Sequence, residues 1–270
     1  MPTYRYDELL AHEEEIPPVL IEGLLNRGSK LILGGEAKKG KSFVLHSILY
    51  ALATGTPLFG NPDFVVPEAV PGILFSQELG FGELKRRWSK YATAGGVQKL
   101  TENLFLTPKD AHLYIDTSEG ETLFWRYIEA LIKRDVKPAW IAIDPISKIH
   151  SRNENAQEDV AKILYKLDRL QADFGSLAII LVHHHGHPTL EKKQAGRTGG
   201  ALLRGSSYFY ADADTLVTLD RLSPMNAKSP LFRIEFETRH GEPIQPGWVR
   251  LNGDTALTNW EKYLPASEEG

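Results

Sequence analysis

Apolar residues along this chain gather in short unbroken runs, separated by longer stretches where they recur at helical spacing. Leu31–Leu33, Gly72–Ser76, Leu104–Leu106, Trp140–Ile143 and Leu177–Val182 are such runs, and none alternates apolar with polar. Runs of this kind predict strands buried on both faces. Between them, Lys41–Thr54 carries Val44, Leu45, Ile48, Leu49 and Leu52, the spacing of a helix with an apolar stripe. Further helices are predicted over Glu83–Thr93, Thr122–Arg134 and Glu158–Phe174, with Leu123, Ile128, Leu131 and Ile132 on the inner face of the second. Residues 4–15 predict a short acidic helix stopped by Pro17-Pro18, and Gly55 to Pro71 reads as loop from its Gly and Pro content.

Strands alternating with helices predict an α/β fold whose mostly parallel sheet has helices on both faces. Beyond Asp214 the pattern changes to Thr215–Leu219, Phe232–Phe236 and Trp248–Leu251 with little helix between them. These are expected to extend the sheet as antiparallel edge strands. With no linker, repeat or low-complexity segment, a single domain is the expectation.

Composition narrows the function classes. The 270 residues are 42% hydrophobic, and no apolar run approaches the length of a membrane span. The start, MPTYRYDELLAHEEE, lacks the basic and apolar segments of a secretory signal, so a cytoplasmic location is expected. Absence of cysteine excludes a disulfide framework, a thiolate metal site and a cysteine nucleophile. A net charge of −4 means that any nucleic acid must be met by a local basic patch.

The chemistry concentrates at "GGEAKKGKS", between the first apolar strand and the helix that begins at Lys41. Gly35, Glu36, Ala37, Lys38, Lys39, Gly40, Lys41 and Ser42 match the P-loop pattern, whose glycines let successive N–H groups face phosphate oxygens. With Phe43 they form the expected ATP-binding set. Lys41 is placed to reach the β- and γ-phosphates, and the Ser42 hydroxyl to ligate Mg²⁺. A second acidic residue is needed at the end of a neighbouring strand, and Asp144 supplies it. Glu78, just past the strand that follows the P-loop helix, is the expected general base.

Several ordered stretches extend this picture: "IEGLLNRGSKLILGGEAKKGKS", "ALATGTPLFG", "PGILFSQELGFGELKRRW", "IAIDPISKI", "IILVHHH" and "ALLRGSSYFYADADT". Through them the chain resembles the RecA-like ATPases, in the branch of plasmid RepA-type hexameric helicases related to the DnaB-type helicases. The resemblance runs from about Ile16 to Arg239. It implies a three-layer RecA-like domain, expected over residues 19–264; an N-terminal arm over 1–18 precedes it and the acidic residues at the end are expected to form a tail over 265–270. It supports Glu78 as the catalytic glutamate and matches His183 to the residue that senses the γ-phosphate. His183, His185 and His187 could also share one side of a strand, but no carboxylate or cysteine adjoins them to complete a zinc site.

In such proteins the loop after the sensor strand touches single-stranded DNA, and here "GHPTLEKKQAGRTGG" carries Lys192, Lys193 and Arg197. The resemblance further implies self-assembly, as a homo-hexamer or another ring, with an arginine reaching the γ-phosphate of the next subunit. RepA-type helicases carry that arginine where this chain has Asp214. The stretch "FETRHGE" instead resembles the DnaB-type K-x-R-x-G turn, with Arg239 as the arginine and Glu237 in place of the lysine. Arg239 is therefore the expected finger, and Arg204 is both its substitute and a further candidate for strand contact. Three functions share these motifs: a ring-forming helicase, a filament-forming RecA/RadA-like recombination ATPase, and a regulatory ATPase that does not act on DNA.

Overall fold

A computed structural model describes residues 3–11, 17–110, 112–152, 157–184, 207–224 and 226–262. The apolar runs form strands β3 (Lys30–Gly35), β4 (Gly72–Ser76), β5 (Leu104–Thr107), β6 (Trp140–Asp144) and β7 (Ala178–His184). Every residue of β3, β4 and β6 is buried. Neighbours alternate between the two faces, as the pleat requires. Thus Leu31 and Leu33 join one apolar cluster while Ile32, between them, joins the other.

Among the described residues the sheet has nine strands in the order β11-β10-β9-β8-β3-β7-β6-β4-β5, where β8 is Thr215–Arg221, β9 Leu231–Thr238, β10 Gly247–Leu251 and β11 Thr258–Glu261. From β8 to β5 the neighbours are parallel. From β8 to β11 they are antiparallel, the edge extension expected from the sequence. Helices α2 (Lys41–Thr54), α3 (Phe81–Ala92) and α4 (Val97–Asn103) cover one face, and α5 (Ser118–Ile132), α6 (Gln157–Asp173) and α7 (Ser207–Asp212) the other.

Some elements depart from expectation. The acidic helix α1 begins at Tyr6 rather than at residue 4 and runs to Ala11, the last described residue of that stretch. A hairpin of β1 (Val19–Ile21) and β2 (Leu25–Asn26) precedes β3. These strands, α4 and β11 are too short to leave a periodicity in sequence. Helix α5 begins at Ser118 rather than Thr122, because the Thr117 hydroxyl accepts the Gly120 N–H at 3.1 Å and caps it. The face it packs against the sheet carries Phe124, Ile128 and Leu131, which are buried, whereas Ile132, expected inside, is 52% exposed. Asp144 lies two strands from the P-loop rather than on a neighbouring strand, since β7 intervenes between β3 and β6.

Close packing between β4 and β6 aligns the two carboxylate-bearing ends. A Cβ at Gly72 would stand 2.1 Å from the Trp140 ring, so only glycine admits that buried indole. The Trp140 Nε1–H donates to the Val70 carbonyl at 3.2 Å. Ser76 pairs with Asp144 in register, and the Gln77 N–H donates to the Asp144 carbonyl at 2.8 Å. Asp144 and Glu78 thereby leave the sheet at the same edge.

Candidate nucleotide site

At the carboxyl edge, β3 ends in Gly35 and the chain curls through Lys38 (φ 61) and Gly40 (φ 98) into α2. Gly40 caps α2 without any side-chain hydrogen bond. Leading N–H groups of the helix thus face the loop with the positive end of its dipole, an arrangement suited to a phosphate. Gly40 is required twice over: its backbone is left-handed, and a Cβ would lie 2.6 Å from the Phe232 ring of β9.

Lys41 is 4% exposed. Its Nζ donates to the carbonyls of Gly35 at 2.9 Å and Glu36 at 2.7 Å. Burial pushes its pKa down to about 8, only partly offset by the charges of Asp144, Glu78 and Glu36. The ammonium lacks sufficient negative charge around it, and a polyphosphate would provide it.

Asp144 is 3% exposed, and burial raises its pKa. A hydrogen bond from Ser42 and the nearby cations Arg87 and Lys41 oppose that shift, while Glu78 adds to it. Ser42 and Asp144 therefore meet, although 102 positions separate them in sequence. A hydroxyl beside a desolvated carboxylate is an oxygen donor set that fits Mg²⁺.

Glu78 remains partly exposed, and its carboxyl is held below the usual range, chiefly by His184, with Lys41 and Lys148 contributing. The His184 Nε2 stands 3.6 Å from Glu78 Oε1. His183 is instead 1% exposed and lies against Phe209 of α7, ring centroids 4.7 Å apart. His184 is thus the residue beside Glu78, while His183, expected as the γ-phosphate sensor, points to the opposite face, because successive strand residues face opposite ways. Among the described residues no group of three His, Cys, Asp or Glu is arranged to hold a metal.

Residues that the sequence did not reveal complete the site. The Arg87 guanidinium of α3 sits 4.8 Å from the Phe43 ring centroid. Behind them a cavity of about 160 Å³ is lined by Phe43, Arg86, Arg87, Lys90, Asn252 and Gly253, among others. It joins α2, α3 and the β10–β11 turn, which no local pattern connects. A larger groove of about 770 Å³ between α5 and α6 shares no residue with the cradle.

Arg239 lies at the other edge of the sheet. Thr238 pairs with Thr215, which pairs with Leu31 near the start of β3. Lys192, Lys193, Arg197 and Arg204, as well as His185 and His187, fall outside the described residues. No helix among those described is long and apolar enough to cross a membrane.

A family model of the AAA domain, AAA_25, matches residues 3–189, a span that includes the cradle, Glu78 and Asp144. Among solved structures, a KaiC-like protein from the hyperthermophilic archaeon Pyrococcus horikoshii OT3 superposes with a TM-score of 0.56 at 19% identity, over 90% of this chain and 93% of that one. No curated protein matches the sequence significantly. With its P-loop at the carboxyl edge of a 3-layer mixed sheet and more than half its length matched, the chain belongs to the AAA_25 family of AAA domains and has the fold of a RecA-like P-loop ATPase.

Proposed function

We propose that the chain hydrolyses ATP to drive movement along single-stranded DNA, as a homo-hexameric or otherwise ring-forming motor of the replicative helicase type. The observation that carries this reading is the place of Arg239. Its N–H donates to the Asp214 carbonyl at 2.8 Å, level with Lys30 at the start of β3. Five residues of strand, about 17 Å, separate that level from Gly35, and β8 also intervenes. No arginine side chain spans this, so Arg239 can meet phosphates only in the cradle of another copy. Such a contact is head-to-tail, and it closes into a ring if the rotation permits.

Within the site, Lys41 would exchange its two carbonyls for phosphate oxygens. Glu78, kept ionised, would accept a proton from the attacking water. His184, poised on Glu78, is suited to respond to the γ-phosphate. Ser42 and Asp144 would hold Mg²⁺, which when bound offsets phosphate charge. The basic stretch with Lys192, Lys193 and Arg197 follows β7, which ends at the same edge as the cradle, and its chemistry suits backbone contact with a single strand.

The same Arg239 geometry also serves a recombination-type filament, because a head-to-tail contact that does not close propagates as a helix. Electron microscopy with a non-hydrolysable ATP analogue and an oligonucleotide tests both. Closed rings are the expected result. Filaments would favour the second reading, and isolated single copies under all conditions would overturn a site completed by a neighbour.

A further inference from the structure

Arg239 is 44% exposed, yet two of its nitrogens are tied down. Nη1 lies 3.5 Å from Asp214 Oδ1, and Nη2 donates to the Ala211 carbonyl in the last turn of α7, where carbonyls lack helical partners. The other Asp214 oxygen, Oδ2, accepts the Lys30 N–H at 2.9 Å. Asp214 is therefore itself clamped to the start of β3 and cannot follow the guanidinium outward. Nearby, the buried Lys30 Nζ binds Asp168 of α6 and Asp212 of α7, which fixes the helix end that supplies the Ala211 carbonyl.

We infer that Asp214 is a positioning residue for Arg239: it aims the guanidinium of one subunit at the cradle of the next. This rests on reading Arg239 as the residue that completes a neighbouring site. The physical case is preorganisation. A free arginine side chain samples many rotamers and must lose that freedom whenever it engages a phosphate. Held along one side by a carboxylate and a carbonyl, the planar fork keeps its remaining N–H groups outward. A half-exposed ion pair at 3.5 Å adds little to stability, so its consequence is for geometry. The chain carries an aspartate at position 214, and β9 brings the guanidinium of residue 239 alongside it.

Asp214→Asn tests this. The amide can still accept the Lys30 N–H but turns an NH₂ group towards the guanidinium. Turnover of the assembly should fall at least tenfold, while the melting temperature and the affinity for an ATP analogue stay near wild type. Mixing experiments supply the readout that a structural role would not move. Assemblies of Asp214→Asn with Lys41→Ala should regain activity, because some interfaces pair an intact cradle with an intact finger. Assemblies of Asp214→Asn with Arg239→Ala should not, since every finger is then impaired. Regained activity in the second mixture, or wild-type turnover in Asp214→Asn beside an inactive Arg239→Ala, would overturn the inference. Wild-type turnover in Arg239→Ala would instead remove the finger reading on which it rests. If Asp214→Asn does not fold, Asp214→Ser, which keeps an acceptor for Lys30 but no charge, is put through the same mixtures.

Discussion

Binding of a nucleotide should draw protons into this protein, and Lys41 sets how many. Burial lowers its pKa from 10.5 to about 8. At about 1.36 kcal/mol per pH unit, roughly 3 kcal/mol disfavours the charged form in the empty site relative to water. Sign matters here: a lysine lowered in the folded state binds fewer protons than in the unfolded chain between about pH 8 and 10.5. The empty protein should therefore gain stability from this group as pH rises through that window. A polyphosphate placed on Lys41 reverses the balance and returns its pKa towards the ordinary value. About half of the Lys41 side chains are neutral at pH 8, so binding should take up about 0.5 proton there and close to one at pH 9, with almost none at pH 6.5. Affinity should weaken about tenfold per pH unit once pH exceeds 8. Calorimetry of Mg-ATP analogue binding in buffers of different ionisation enthalpy counts these protons. Lys41→Arg keeps a cation that does not titrate in this range, so its uptake at pH 8–9 should vanish. No uptake in the wild type, or equal uptake in Lys41→Arg, would refute the argument that an uncompensated ammonium waits in the cradle.

Glu78→Gln should bind Mg-ATP yet lose turnover in a coupled ATPase assay, since the amide cannot take the water's proton. Asp144→Asn should instead lose the Mg²⁺-dependent part of ATP affinity, seen in titrations with and without the metal. Gly40→Ala should destabilise the fold by about 2–3 kcal/mol in denaturant melts, from its left-handed φ and the 2.6 Å approach to Phe232. Adding Phe232→Leu should recover only the steric share. Replacing Lys192, Lys193 and Arg197 together by Ala should weaken single-stranded DNA binding and flatten its salt dependence, leaving ATP affinity intact in fluorescence titrations.

What the sequence determines by itself is what local chain chemistry determines. The apolar runs had to be strands covered on both faces, and Gly35 to Ser42 had to be a turn with its N–H groups gathered, because glycine spacing and helix start lie within one stretch of chain. Strand-end carboxylates Glu78 and Asp144 were legible for the same reason. Tertiary structure alone decided which of His183 and His184 meets Glu78, because both end the same strand and only the elements packed on each face distinguish them. It alone set Phe232 beneath Gly40, 192 positions away, and Arg87 over Phe43. It also brought Asp214 to Arg239 through the antiparallel register of β8 and β9, which depends on where the chain reverses between Arg221 and Leu231. Contacts of that kind carry no periodicity in sequence. They follow from how sheet and helices close around a shared core, and that closure is a property of the whole chain.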